Sequence, residues 1–143
     1  MMTIRVQRPE ELKTLLPYVH DRRFSLDELR LDEQKRQVSV ALRVLTDREV
    51  KRPWLRVFTQ TKRLLVRAQL NINEATGITT RDEARVGSGD INTVSFSGRA
   101  VIIEGSLPVV VVVQVDKLDI ELIISDEVVG EVPGWSIGYM SRF

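Results

Sequence analysis

The chain contains no cysteine and a single histidine, His20. Without thiols, cysteine nucleophiles, thiolate zinc sites, iron–sulfur clusters and disulfide staples are all excluded. One imidazole is too few for a histidine-based metal centre, so neither a metal nor a cofactor is expected. Long apolar runs are also missing. The longest, residues 107–113, is broken by Pro108 and falls far short of the roughly 20 residues that a membrane-spanning helix needs. Residues 1–6 lack the apolar stretch and cleavage site of a secretory signal, which points to a cytoplasmic protein with no membrane contact. No Pro/Gly/Ser-rich linker and no internal repeat divide the 143 residues, so we read one domain, 1–143.

Alanine is scarce as well. Five alanines stand against 20 valines and 10 isoleucines, a balance that favours pleated surfaces over helices. Periodicity agrees with this composition. Val38, Val40, Leu42 and Val44 alternate with Gln37, Ser39, Ala41 and Arg43; Leu64, Val66, Ala68, Leu70 and Ile72 alternate with Arg63, Leu65, Arg67, Gln69 and Asn71; and Leu118, Ile120, Leu122 and Ile124 enclose Asp119 and Glu121. Eight strands are expected, near 24–32, 36–45, 54–59, 62–74, 91–97, 99–105, 108–115 and 118–125. Hairpin turns are expected at Ser97-Gly98, at Asp116-Lys117 and over 32–36.

The fold class is therefore mainly β, an antiparallel meander closed into a barrel or roll, or packed as a two-sheet sandwich, with one short N-terminal helix. The helix belongs to an N-terminal region, 1–23. There Pro9 opens it, Glu10 and Glu11 suit its positive end, and Leu12, Leu15, Leu16 and Val19 share a face before Pro17 limits its length. The β core spans 24–125 and an aromatic tail 126–143. Ser25-Leu26-Asp27-Glu28 also matches a capping box and offers a short helix in place of the first strand.

A net charge of +1 conceals a segregation. Residues 1–70 hold 16 Lys/Arg against 9 Asp/Glu, net +7, and residues 71–143 hold 5 against 11, net −6. The simplest reading is that the halves pair with each other, within the fold or between subunits, because opposed charges across strands help fix register. The functional alternative is an anion-binding surface on the basic segment 48–67, where Arg52, Arg56 and other cations interleave with Trp54 and Phe58. Cations neutralise phosphates and rings stack on bases, so nucleic acid or a phosphorylated molecule is a conceivable ligand. A general nucleic-acid binder is usually basic overall, however, and this chain is not.

Other features carry plainer readings. His20 beside Asp21 has the form of an acid–base dyad, yet a histidine ending a helix usually serves a structural hydrogen bond, and no catalytic residue is assigned. Residues 75–90 read as the longest loop; their Gly87-Ser88-Gly89-Asp90 lacks the helix and lysine of a phosphate cradle, and Asp82 with Arg85 suggests a local ion pair. Asp116, Asp119, Glu121, Asp126 and Glu127 lack calcium-loop spacing and read as a solvated face.

The five valines at 109–113 make both faces of one strand apolar, which calls for cover by the helix or by another subunit. Trp135, Tyr139 and Phe143 bring three large rings to the tail. Together with Val109, Val111 and Val113 they suggest an interface. On sequence alone the leading function is a non-enzymatic β module that acts through protein contacts, as a homo-oligomer or with a protein partner. The alternatives are the anion-binding module and a small-ligand carrier or enzyme using the barrel interior. The first of these three expects no pocket with convergent titratable groups.

Overall fold

The computed structural model describes residues 2–53, 58–83, 85–106 and 109–137, with side chains throughout except at 47–53, 58–62 and 133–137. Ten strands form two antiparallel five-stranded sheets, one of them curled into a half-barrel. In chain order they are β1 (Met2–Val6), β2 (Arg23–Ser25), β3 (Arg30–Asp32), β4 (Gln37–Pro53), β5 (Phe58–Ile72), β6 (Ala75–Asp82), β7 (Ser88–Ser97), β8 (Ala100–Gly105), β9 (Val109–Val115) and β10 (Ile120–Ile137). The first sheet runs β1-β10-β5-β4-β3 and the second β2-β7-β8-β9-β6. Between them lies a continuous apolar cluster. Val38, Val40, Leu42 and Val44 of β4, Val66, Leu70 and Ile72 of β5, and Ile120 and Leu122 of β10 face Ile91, Val101, Ile103 and the odd-numbered valines of β9. The period-2 patterns seen in the sequence are the inner faces of these strands.

Several expectations need correction. The segment 24–32 is not one strand. It splits into β2, a 3-10 turn over Leu26–Glu28 and β3, because the capping alternative wins: Ser25 Oγ accepts a hydrogen bond from the Asp27 amide at 3.3 Å. The N-terminal helix is likewise a 3-10 stretch, Pro9–Thr14, followed by a single α-helical turn, α1 (Leu16–Val19). The tighter winding changes the phase of the side chains, so Leu15 and Val19 are buried while Leu16 faces water.

Residues 2–6, whose sequence spoke only to targeting, form edge strand β1 against β10. The expected loop 75–90 holds β6 and the start of β7. Few residues of β6 point into the core, so its own alternation is faint, and it is ordered by pairing with β9 from Ala75↔Val115 to Asp82↔Val109. Asp82 does not pair with Arg85 through side chains. Its carboxylate accepts from the amides of Val86 (3.0 Å) and Gly87 (2.6 Å) and so closes the turn into β7.

The hairpins at 32–36 and between β7 and β8 are present, the second centred on Gly98-Arg99, one residue beyond the expected Ser97-Gly98. In the latter Ser97 pairs with Ala100, and Gly98 takes φ +62 at the first central position, as a type II′ turn requires. Asp116-Lys117, by contrast, is a crossover between sheets, since β9 pairs with β6 and β8 and never with β10. The tail also differs: β10 continues to Ile137, pairing with β5 as far as Ile137↔Phe58.

Candidate anion-binding cleft

Opposite charges in the two halves meet across the fold. Asp119, nearly buried, accepts both Nε (3.1 Å) and Nη2 (2.9 Å) of Arg5. Arg36 contacts Asp116 and lies 3.9 Å from Glu74. Arg23 lies 3.5 Å from Asp90, and Arg67 Nε lies 3.1 Å from Glu127. Each of these pairs joins a base from residues 1–70 to an acid from 71–143. The acidic cluster is thereby largely accounted for: Asp116, Asp119 and Glu127 answer arginines of the basic half. The hydrogen bonds and charges of Asp119 and Asp116 hold the guanidinium pKa of Arg5 and Arg36 above the ordinary value.

Arg22 and Arg43 are left over, and they converge with Arg23 and Arg67. The chain after α1 is pinned to β7 by backbone bonds, Asp21 N to Ile91 O at 2.8 Å and Ile91 N to Arg22 O at 2.9 Å. Phe24 then turns inward to near-complete burial and pairs with Gly89 of β7. Strand alternation consequently turns Arg23 and Ser25 away from the core. Across the gap stand β4 and β5, whose outer faces carry Ala41 and Arg43, and Leu65 and Arg67.

Between these walls lies an open cavity of about 390 Å³ lined by four bases, Arg22, Arg23, Arg43 and Arg67, and two acids, Asp21 and Glu28, with Ser25 and Ser88 among its polar contacts. A second cavity of about 350 Å³ continues along the outer face of the first sheet and shares Glu28, Ala41 and Arg67 with the first. Its other walls include Arg30, Ser39, Gln69, Ile123 and Ser125.

Arg43 and Arg67 are direct cross-strand partners. Their register comes from an irregularity. Farther along the hairpin Glu49 pairs with Arg63, and that register extended would set Arg43 against Gln69. Between Leu45 and Glu49, however, β4 holds three residues opposite Leu64 alone, and the two extra residues bring Arg43 onto Arg67.

Like charges directly opposite destabilise a sheet by roughly 0.2–1 kcal/mol. Glu127 offsets the charge of Arg67 at the surface. The side chains of Arg22, Arg43 and Glu28 make no hydrogen bond or ion pair among the described residues. A site with two unpaired guanidinium groups, Arg22 and Arg43, beside two more on one hollow is suited to bind carboxylate or phosphate oxygens through charge-assisted, forked hydrogen bonds.

The residues singled out in the sequence fall elsewhere. Arg52 lies in β4 opposite Gln60 and Phe58 in β5 opposite Ile137, both with side chains outside the described set; Trp54 and Arg56 lie outside the described residues, and so do Tyr139 and Phe143. Trp135 is a backbone partner of Gln60. Val109, Val111 and Val113 are fully buried in the chain's own core, so they are not free to form an interface. The outer face of β9 shows Val110 and Val112 instead, half-buried beside Ile102 of β8, and Ile102 is the cross-strand partner of Val112.

His20 lines neither cavity. Its Nδ1 lies 3.1 Å from Asn92 O and its Nε2 3.5 Å from Asp21 Oδ1, which is the structural role expected for it. Of the cleft residues only Arg67 stood in the basic segment noted from sequence. Arg22, Arg23 and Arg43 were missed. The available signal was that 43 and 67 are both outward positions of amphipathic strands, but their juxtaposition depends on the bulge.

Comparison with protein-family models, curated proteins and solved structures finds no match for this chain.

Proposed function

We propose that this domain binds an anionic ligand, a molecule bearing a carboxylate or phosphate, in the cleft between β2 and the outer face of β4 and β5. The observation that carries the reading is the Arg43/Arg67 pair at the wall of a 390 Å³ cavity that also takes Arg22 and Arg23. A protein that served only its own stability gains nothing from setting two arginines opposite each other there, whereas a bound anion turns the repulsion into shared attraction. The contact-module reading expects no pocket with convergent titratable groups, and for that reason it stands second.

Isothermal titration calorimetry with pyrophosphate and citrate tests the proposal. Binding in the micromolar to millimolar range that weakens with added salt and is lost in Arg43→Ala supports it. Heat that is unchanged by Arg43→Ala and Arg67→Ala overturns it. A single-stranded oligonucleotide tested in the same cell separates a polymer ligand from a small one through the steepness of its salt dependence.

The second reading, a homo-oligomeric contact module, rests on the Val110, Val112 and Ile102 strip on the outside of the second sheet. A second copy laid on this strip removes apolar surface from water. Sedimentation equilibrium tests it: a monomer mass at about 100 µM eliminates this reading.

A further inference from the structure

We infer that the ligand is a small zwitterion, with a primary ammonium as well as its carboxylate or phosphate; this rests on the anion-binding reading of the same cleft. The observation is Glu28. It ends the 3-10 turn that Ser25 caps, it lines both cavities, and it makes no hydrogen bond or ion pair among the described residues although four arginines line the cavity it borders.

A carboxylate left at the mouth of a cationic cleft repels a ligand that is only an anion. It would also be expected to collapse onto the nearest guanidinium if it had no other use. Instead Arg30, two residues on, donates its Nη1 to the backbone oxygens of Asp27 (2.6 Å) and Leu29 (2.9 Å), which ties down the turn without engaging Glu28.

The first cavity thus carries Arg22, Arg23 and Arg43, with Asp21 held 3.5 Å from His20 on its wall, and Glu28 stands with Arg67 where the two cavities join. A molecule whose negative group enters the first cavity brings a positive group on a short linker to Glu28. An ammonium there donates a charge-assisted hydrogen bond to the carboxylate, and its charge cancels the penalty that Glu28 imposes on a plain anion.

Calorimetry on the full chain tests this with two matched pairs of probes: O-phosphoethanolamine with its N-acetyl derivative, and β-alanine with its N-acetyl derivative. In at least one pair the amine is expected to bind tenfold or more tightly than the acetylated compound. The pair that shows the preference tells phosphate from carboxylate. Glu28→Gln is expected to abolish the preference, weakening the amine and tightening the acetylated compound as the repulsion is removed. Glu28 is exposed and holds no side-chain partner among the described residues, so the variant should melt with the wild type. Equal binding of amine and acetylated forms to the wild type, or a preference that survives in Glu28→Gln, overturns the zwitterion inference and leaves the anion reading standing. No binding by any of the four overturns the zwitterion inference, and no binding of pyrophosphate or citrate in the same series overturns the anion reading as well.

Discussion

Arg43 and Arg67 face each other directly across β4 and β5 on the outer surface of the first sheet, and Arg43 has no partner of opposite charge among the described residues. An arrangement that opposes folding and sits in a cleft is the pattern expected where stability yields to binding. Arg43→Ser should therefore raise unfolding stability by roughly 0.2–1 kcal/mol while abolishing anion binding. Urea denaturation and calorimetry on the same preparation check both halves. A variant that loses stability and retains binding contradicts the assignment.

The Arg5–Asp119 pair joins edge strand β1 to the turn that leads into β10. Asp119→Asn keeps the shape and removes the charge, and should lower the melting midpoint by roughly 2–6 °C. Because β1 pairs only with β10, the loss should be local: amide exchange at Thr3 and Arg5 should quicken more than at Val101 or Ile103. Uniform acceleration in both sheets would falsify the view that this pair mainly secures β1. Arg5 and Arg36 have their pKa raised in the fold, so their contribution is fully present below the ordinary guanidinium value and is lost only as pH rises beyond it. Between about pH 7 and 10 these two groups should leave the melting temperature unmoved.

Core and turn variants should separate packing from backbone strain. Ile103 is fully buried between the sheets, and Ile103→Ala should cost about 2–5 kcal/mol through lost contacts and a residual cavity. Gly98 has φ +62, and a side-chain Cβ at this position would meet no atom within 4 Å. Gly98→Ala therefore introduces no clash and should cost only about 1–2 kcal/mol of left-handed backbone strain. Chemical denaturation measures both, and a larger loss at Gly98 than at Ile103 reverses the ranking.

The valine strip gives a prediction of its own. Val112→Lys places a charge on the outer face of β9, opposite Ile102 and away from the core, and should leave the fold intact by circular dichroism. If wild type is a dimer through this strip, the variant should sediment as a monomer. A dimer that persists in Val112→Lys places the contact elsewhere.

Much of the sheet structure was legible because a half-buried strand must alternate. The runs at 38–44, 64–72 and 118–124 each wrote their inner face into the sequence, and the charge imbalance pointed to complementary halves, which meet in pairs such as Arg5–Asp119, Arg23–Asp90 and Arg67–Glu127 that it could not name. Where alternation was weak the strands were missed. Met2–Val6 and Ala75–Asp82 are edge strands, each hydrogen-bonded along one side, and β6 takes its order from the valines of β9 rather than from its own residues. At 109–113 five valines called for cover on both faces; the odd-numbered ones are sealed in the core, and Val110 and Val112 lie half-buried on the outer face.

By itself the sequence determined that this is an antiparallel β protein without thiol chemistry and with opposed charges on its two halves, because side-chain period, turn residues and composition are local properties. Only the tertiary structure decided which strands share a sheet, that Asp116-Lys117 crosses between sheets, and that Arg22, Arg23, Arg43 and Arg67 line one hollow. Those facts follow from register, and register here turns on two extra residues in β4 between Leu45 and Glu49. Their effect is to set Arg43 directly opposite Arg67 across the two strands.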